Sequence, residues 1–126
     1  MDYDAARAYL LARPDATEDF PFGPDARVFR IRHKMFALLA EKDGIARVNL
    51  KCDPEEALAL RDVFEAVQPG YHMNKAHWNT VLLDGSVPAP ELERMMDRSY
   101  GLVVRSLKKA ERTALEVRHG PAVLYR

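Results

Sequence analysis

Residues 27–32 read Arg-Val-Phe-Arg-Ile-Arg, residues 35–41 read Met-Phe-Ala-Leu-Leu-Ala-Glu, and residues 45–52 read Ile-Ala-Arg-Val-Asn-Leu-Lys-Cys. The third stretch alternates. Ala46, Val48, Leu50 and Cys52 stand against Arg47, Asn49 and Lys51, which is the period of a strand with one covered and one wet face. Between the first two stretches, His33-Lys34 suits a two-residue hairpin by length, without the glycine or asparagine such turns favour. Asp43-Gly44 has the favoured turn chemistry. Consecutive strands joined by short turns predict an antiparallel sheet.

Helical signals lie on either side of this run. Asp2 is placed to cap a first helix reaching about Ala12, with Tyr3, Ala6 and Leu10 on one face and Pro14 ending it. The turn-rich stretch from Ala16 to Pro24 is expected to hold one short strand around Phe20 to Phe22. Asp53-Pro54-Glu55-Glu56 opens a second helix with a capping residue, a proline suited to the first position, and acids at the positive end of the dipole. Its stripe is Ala57, Leu60, Phe64 and Val67, and Pro69-Gly70 stops it. Residues 71–78 are irregular, residues 79–83 read as a strand, and Asp84-Gly85 closes it. A third helix is expected from about Glu91 to Leu107, with a stripe through Leu92, Met95 or Met96, Ser99, Leu102 or Val103, and Leu107. Gly101 inside it suggests a close helix–sheet contact. Residues 108–126 are weakly patterned and read as a lightly docked tail, so the domain is placed at 1–109 and an extension at 110–126. The order of elements predicts a two-layer α+β domain with helices over one sheet face.

Composition narrows the function. The chain has 126 residues, 19 basic and 19 acidic, with no net charge. A dedicated nucleic-acid binder usually carries a basic excess or a basic face, so any DNA contact must come from a local patch. Cys52 is the single cysteine. It allows no internal disulfide and sits in no zinc-type spacing, which fits a reducing, cytoplasmic setting. The acidic start Met1-Asp2-Tyr3-Asp4 does not read as a signal peptide. No apolar run approaches the roughly 18 residues of a membrane helix, and a monomer is expected.

Several ordered motifs point to a family. Arg47-Val48-Asn49-Leu50-Lys51-Cys52, Pro69-Gly70-Tyr71-His72-Met73-Asn74-Lys75 and His77-Trp78-Asn79-Thr80-Val81 closely resemble the MmcQ/YjbR family. So do residues Ala16 to Gly23, and Ser99-Tyr100 with Leu102-Val103-Val104. The likeness runs from the first helix to about Lys109. It implies a CyaY-like fold, an antiparallel sheet covered on one face by helices. It also implies DNA binding, through a proposed double-wing arrangement of β-hairpins. Frataxin relatives of that fold bind iron on an acidic first helix. Here Arg7 and Arg13 stand beside Asp2 and Asp4, so the iron role does not carry over.

Two candidate sites follow. If Phe29, Ile31, Val81 and Leu83 point inward, then Arg30, Arg32, Arg47, Asn49, Lys51, Trp78 and Thr80 point outward. The nucleic-acid reading assigns phosphate contacts to Arg30, Arg32, Arg47, Lys51 and Lys75, with Trp78 available to stack on an unpaired base. The plain reading of such a face is a solvated one whose arginines pair with nearby acids. The alternative site is the loop Tyr71, His72, Asn74, Lys75, His77 and Trp78, read as the lining of a small-ligand or protein-binding pocket without a nucleic-acid role. The structural reading of the same loop has Asn74 capping and Trp78 packing at a sheet edge.

No catalytic residue, cofactor or metal is expected. His72 and His77 lack convergent partners. Cys52 reads as a buried small hydrophobe and Ser99 as a helix residue bonded to its own backbone. Glu18 and Asp19 face opposite ways, and no phosphate loop, dinucleotide fingerprint or nucleophile elbow is present. Residues 105–126 carry six basic residues against two acidic, which could add affinity for phosphates or simply solubilise a helix end.

Overall fold

The alternating stretch that decides the fold forms a strand near the centre of the sheet, with Ala46, Val48, Leu50 and Cys52 all buried as the pattern requires. The computed structural model describes residues 1–126. Six strands pair antiparallel throughout: β1 (Ala16–Asp19), β2 (Ala26–Ile31), β3 (Lys34–Lys42), β4 (Ile45–Lys51), β5 (Val67–Pro69) and β6 (Trp78–Leu82). Their order across the sheet is β1-β2-β3-β4-β6-β5. The helices are α1 (Tyr3–Leu11), α2 (Pro54–Val63), α3 (Ala89–Arg105), α4 (Lys109–His119) and α5 (Pro121–Leu124). α3 lies across β2, β3 and β4, α1 packs on β1 and β3, and α2 packs on β5, giving the expected two-layer α+β arrangement.

Turn chemistry explains the meander. Asp43 and Gly44 both have positive φ, 55° and 79°, as the tightest hairpin turns demand. The preceding hairpin turns at Arg32-His33 instead of His33-Lys34, because Ile31 pairs with Lys34. Arg32 itself takes φ 56° and is therefore a turn residue. A register shift at Phe29/Arg30 leaves Phe36 without a direct partner, and both Phe36 and Ala37 turn into the core. Such bulges sharpen strand twist.

Several boundaries differ from the sequence reading, each for a tertiary reason. The first short strand is Ala16–Asp19, held by antiparallel pairing to β2, and Phe20 to Phe22 lie beyond it. α2 stops at Val63, and Val67–Pro69 extends instead to pair with β6. Asp53 makes no side-chain cap but pairs with Arg98 at 3.0 Å, whereas Asp2 caps α1 as expected, accepting from the Ala5 amide at 2.8 Å. Ser99 does not bond its own helix. It donates to the Phe36 carbonyl at 2.5 Å and accepts from the Lys51 amide at 2.8 Å, joining α3 to β3 and β4. Gly101 faces no strand; a Cβ there would meet the Leu124 carbonyl at 3.4 Å. Residues 109–124 form α4 and α5, with Leu115 and Leu124 fully buried in the common core.

Candidate ligand-binding cleft

Strand register fixes which side chains share the face away from the helices. Arg47 stands opposite Ala40, Asn49 opposite both Leu38 and Thr80, and Lys51 opposite Trp78. On the β2 side, Val28 pairs with Leu38 and Arg30 with Met35. Val28 lies on this face yet is fully buried, and Met35, Leu38 and Ala40 are half-buried. The face is therefore not the uniformly wet, basic surface expected from alternation. Its centre is apolar.

Over that centre lies a cleft of about 430 Å³, within the usual size range of small-ligand sites. β3 and β4 supply its floor through Met35, Leu38, Ala40, Arg47 and Asn49. One wall is Phe22, from the turn entering β2, with Ala26 at the start of that strand, and the other is Tyr71, His72 and Met73. Phe22 and Tyr71 are large apolar groups left 70% and 54% exposed, at the rim of an apolar concavity.

The second wall is anchored by buried polar groups. Thr80 is 1% exposed; its hydroxyl donates to Asn49 Oδ1 at 2.6 Å and accepts from the Tyr71 amide at 2.9 Å. Asn49 Nδ2 donates to the Tyr71 carbonyl at 3.2 Å. Lys75 closes the loop by donating to the Gly70 carbonyl at 3.1 Å, and Arg61 reaches from α2 to the carbonyls of Lys75 and Trp78. Gly70 is required here, because a Cβ would stand 2.8 Å from both the Trp78 Cβ and its carbonyl oxygen. His72 adopts φ 58°, a left-handed conformation that costs a residue with a Cβ roughly 1–2 kcal/mol. Its ring lies 4.0 Å from that of Tyr71.

The predicted phosphate-binding residues do not form one patch. Arg30 is paired with Asp19 at 3.1 Å and Arg32 with Asp15 at 3.6 Å. Lys75 is turned into its own loop, and Trp78 is half-buried beside Gly70. Lys51 remains on the open face. Arg47 is set apart, since it has no carboxylate partner and its Nε is buried without a hydrogen bond. Of the loop residues proposed as a pocket, Tyr71 and His72 line the cleft; Asn74, Lys75, His77 and Trp78 do not. Phe22, Ala26, Met35, Leu38, Ala40, Lys42, Arg47, Asn49 and Met73 complete it. The exposed turn at Phe22 and the apolar outward residues of β3 were the available signals for them.

Cys52 lies under the opposite face. Burial, with Glu56 and Asp53 nearby, pushes its thiol up to about 11, so it is an inert thiol at neutral pH.

Comparison with known proteins matches a family model described as YjbR to residues 11–102. An Escherichia coli protein, YbdF, is 35% identical over 109 residues, covering 86% of this chain and 89% of its own. Escherichia coli YjbR is 36% identical over 107 residues, covering 85% of this chain and 91% of its own. A Deinococcus radiodurans crystal structure superposes with a TM-score of 0.83 at 39% identity, over 90% of this chain and 87% of that one. A Pseudomonas syringae crystal structure gives a TM-score of 0.72 at 33% identity, over 81% and 98%. No helix is long and apolar enough to cross a membrane.

Proposed function

This chain belongs to the YjbR family, and we propose that it is a non-enzymatic small-molecule-binding domain whose site is the cleft on the open face of the sheet. The observation that carries the reading is the cleft itself. Seven of its eleven lining residues are hydrophobic, and they line about 430 Å³ of space. An isolated domain gains nothing by leaving Phe22 and Tyr71 in water around such a concavity, whereas a bound ligand would cover them. The wall is also held in advance by the Thr80–Asn49–Tyr71 bonds, and preorganisation lowers the ordering cost of binding.

The nucleic-acid reading ranks behind this one. Phosphate contacts need free cations along a continuous surface, and Arg30 and Arg32 already carry carboxylate partners. The two readings separate in one experiment. Labelled single- and double-stranded DNA is titrated by anisotropy at about 50 and about 200 mM salt, beside thermal-shift screening against small organic molecules. The expected result is no saturable, salt-steep DNA binding, together with ligand stabilisation that Leu38→Gln abolishes. Tight DNA binding that Arg47→Ala with Lys51→Ala weakens on all sequences alike would overturn the proposal.

A further inference from the structure

The cleft is graded in chemistry along its length, and this carries a conclusion about what it holds, resting on the reading of the cleft as a ligand site. Following β3, its outward residues run Met35, Leu38, Ala40, Lys42. Beside them on β4, Asn49 stands opposite Leu38 and Arg47 opposite Ala40. One end is thus aliphatic and the other, near the Asp43-Gly44 turn, holds two cations. His72 adds an imidazole, and none of the eleven lining residues is acidic.

The two polar groups of the floor differ in availability. Asn49 is committed, with Oδ1 accepting from Thr80 and Nδ2 donating to the Tyr71 carbonyl. It holds the wall and has little capacity left for a ligand. Arg47 is uncommitted. Most other arginines of this chain meet a carboxylate, including both arginines of β2, Arg27 with Glu18 and Arg30 with Asp19. Arg47 has no such partner, and its Nε is buried without one. A planar guanidinium left unpaired against an apolar floor is the donor set that recognises a carboxylate, sulfonate or phosphate through two parallel hydrogen bonds.

We infer that the cleft takes a small organic anion with an aromatic or branched apolar body. The anionic group meets Arg47, with Lys42 beside it. The apolar body lies on Met35 and Leu38 between Phe22 and Tyr71. Arg47 is the specificity residue, because the apolar lining would accept a neutral molecule of the same shape.

The test uses two fluorescent probes, anilinonaphthalene sulfonate and the sulfonate-free phenylnaphthylamine, titrated into the full-length protein. The expected result is sulfonate binding roughly ten- to a hundred-fold tighter, the range a charge-assisted hydrogen bond supplies. Arg47→Met should bring the two affinities together by weakening the sulfonate alone, and Arg47→Lys should restore part of the preference. Amide shifts on sulfonate binding should concentrate at Leu38, Arg47 and Tyr71. Equal affinity of the native protein for both probes, or equal weakening of both by Arg47→Met, would overturn the anion assignment and leave the cleft reading standing. Absence of binding by either probe would remove both.

Discussion

Thr80→Val replaces a hydroxyl with a methyl of nearly the same shape, at a position 1% exposed. It deletes two hydrogen bonds at once, one donated to Asn49 Oδ1 at 2.6 Å and one accepted from the Tyr71 amide at 2.9 Å. Asn49 is 6% exposed, so its orphaned oxygen bears a desolvation cost of roughly 1–3 kcal/mol. Tyr71 is an exposed residue whose amide regains water, so the second loss is smaller. The expected destabilisation is about 2–3 kcal/mol in urea unfolding at unchanged m-value, or about 5–10 °C in Tm for a domain of this size. The Tyr71 amide should exchange with solvent faster, and any ligand of the cleft should bind more weakly because one wall has lost its anchor. The double variant Asn49→Leu with Thr80→Val should cost less than the sum of the singles, since removing both partners leaves fewer unsatisfied groups. A Thr80→Val effect below about 0.5 kcal/mol, or strict additivity in the cycle, would refute the claim that this network holds the wall.

Other perturbations have equally direct outcomes. Gly70→Ala forces a Cβ to within 2.8 Å of Trp78 and should cost about 2–3 kcal/mol by overpacking, read as a lowered urea midpoint and a loosened 71–77 loop. Leu124→Ala opens a cavity at a fully buried position and should cost about 2–4 kcal/mol in the same assay, which a merely docked tail would not. Cys52 has its thiol pushed up to about 11, so only about a thousandth of it is thiolate at pH 8, and alkylation should require unfolding. The same raised value favours the neutral folded form, so this contribution to stability is complete below the ordinary thiol range near 8.5 and fades as pH rises towards 11. Glu18 runs the other way, held below the usual carboxylate range first by Arg7 and then by Arg27. Its contribution is present above about pH 4.3 and lost as pH falls through the depressed value, so Glu18→Gln should flatten the acid limb of stability.

Periodic and local features were readable without tertiary information. Side-chain direction alternates along any strand, so residues 46–52 declared which side of β4 is core, and Asp43-Gly44 declared its turn. Pro54 marked the start of α2 for the same local reason. Where the reading missed, a distant partner decided. Val67 fits a helical stripe by spacing, but pairing with β6 draws Val67–Pro69 into a strand. Phe20 to Phe22 is a fair strand by composition, yet the partners offered by β2 fall to Ala16–Asp19. Ser99 serves two strands that no neighbouring residue foretells.

The functional face divides along the same line. Alternation alone places Arg47 and Asn49 on the same side of one strand, away from Val48 and Leu50, and composition alone marks the 71–78 segment as irregular and rich in polar groups. Which cations remain free depends on where the fold carries distant acids. Asp19 and Asp15 reach Arg30 and Arg32 through hairpin pairing and a turn, while Arg47 lies where no acid is brought near. The fold also sets Phe22 and Tyr71, far apart in the chain, on opposite sides of the same floor. Alternation fixes the direction of each side chain. A cleft is made by the distance between chain segments, and sheet order and register set that distance.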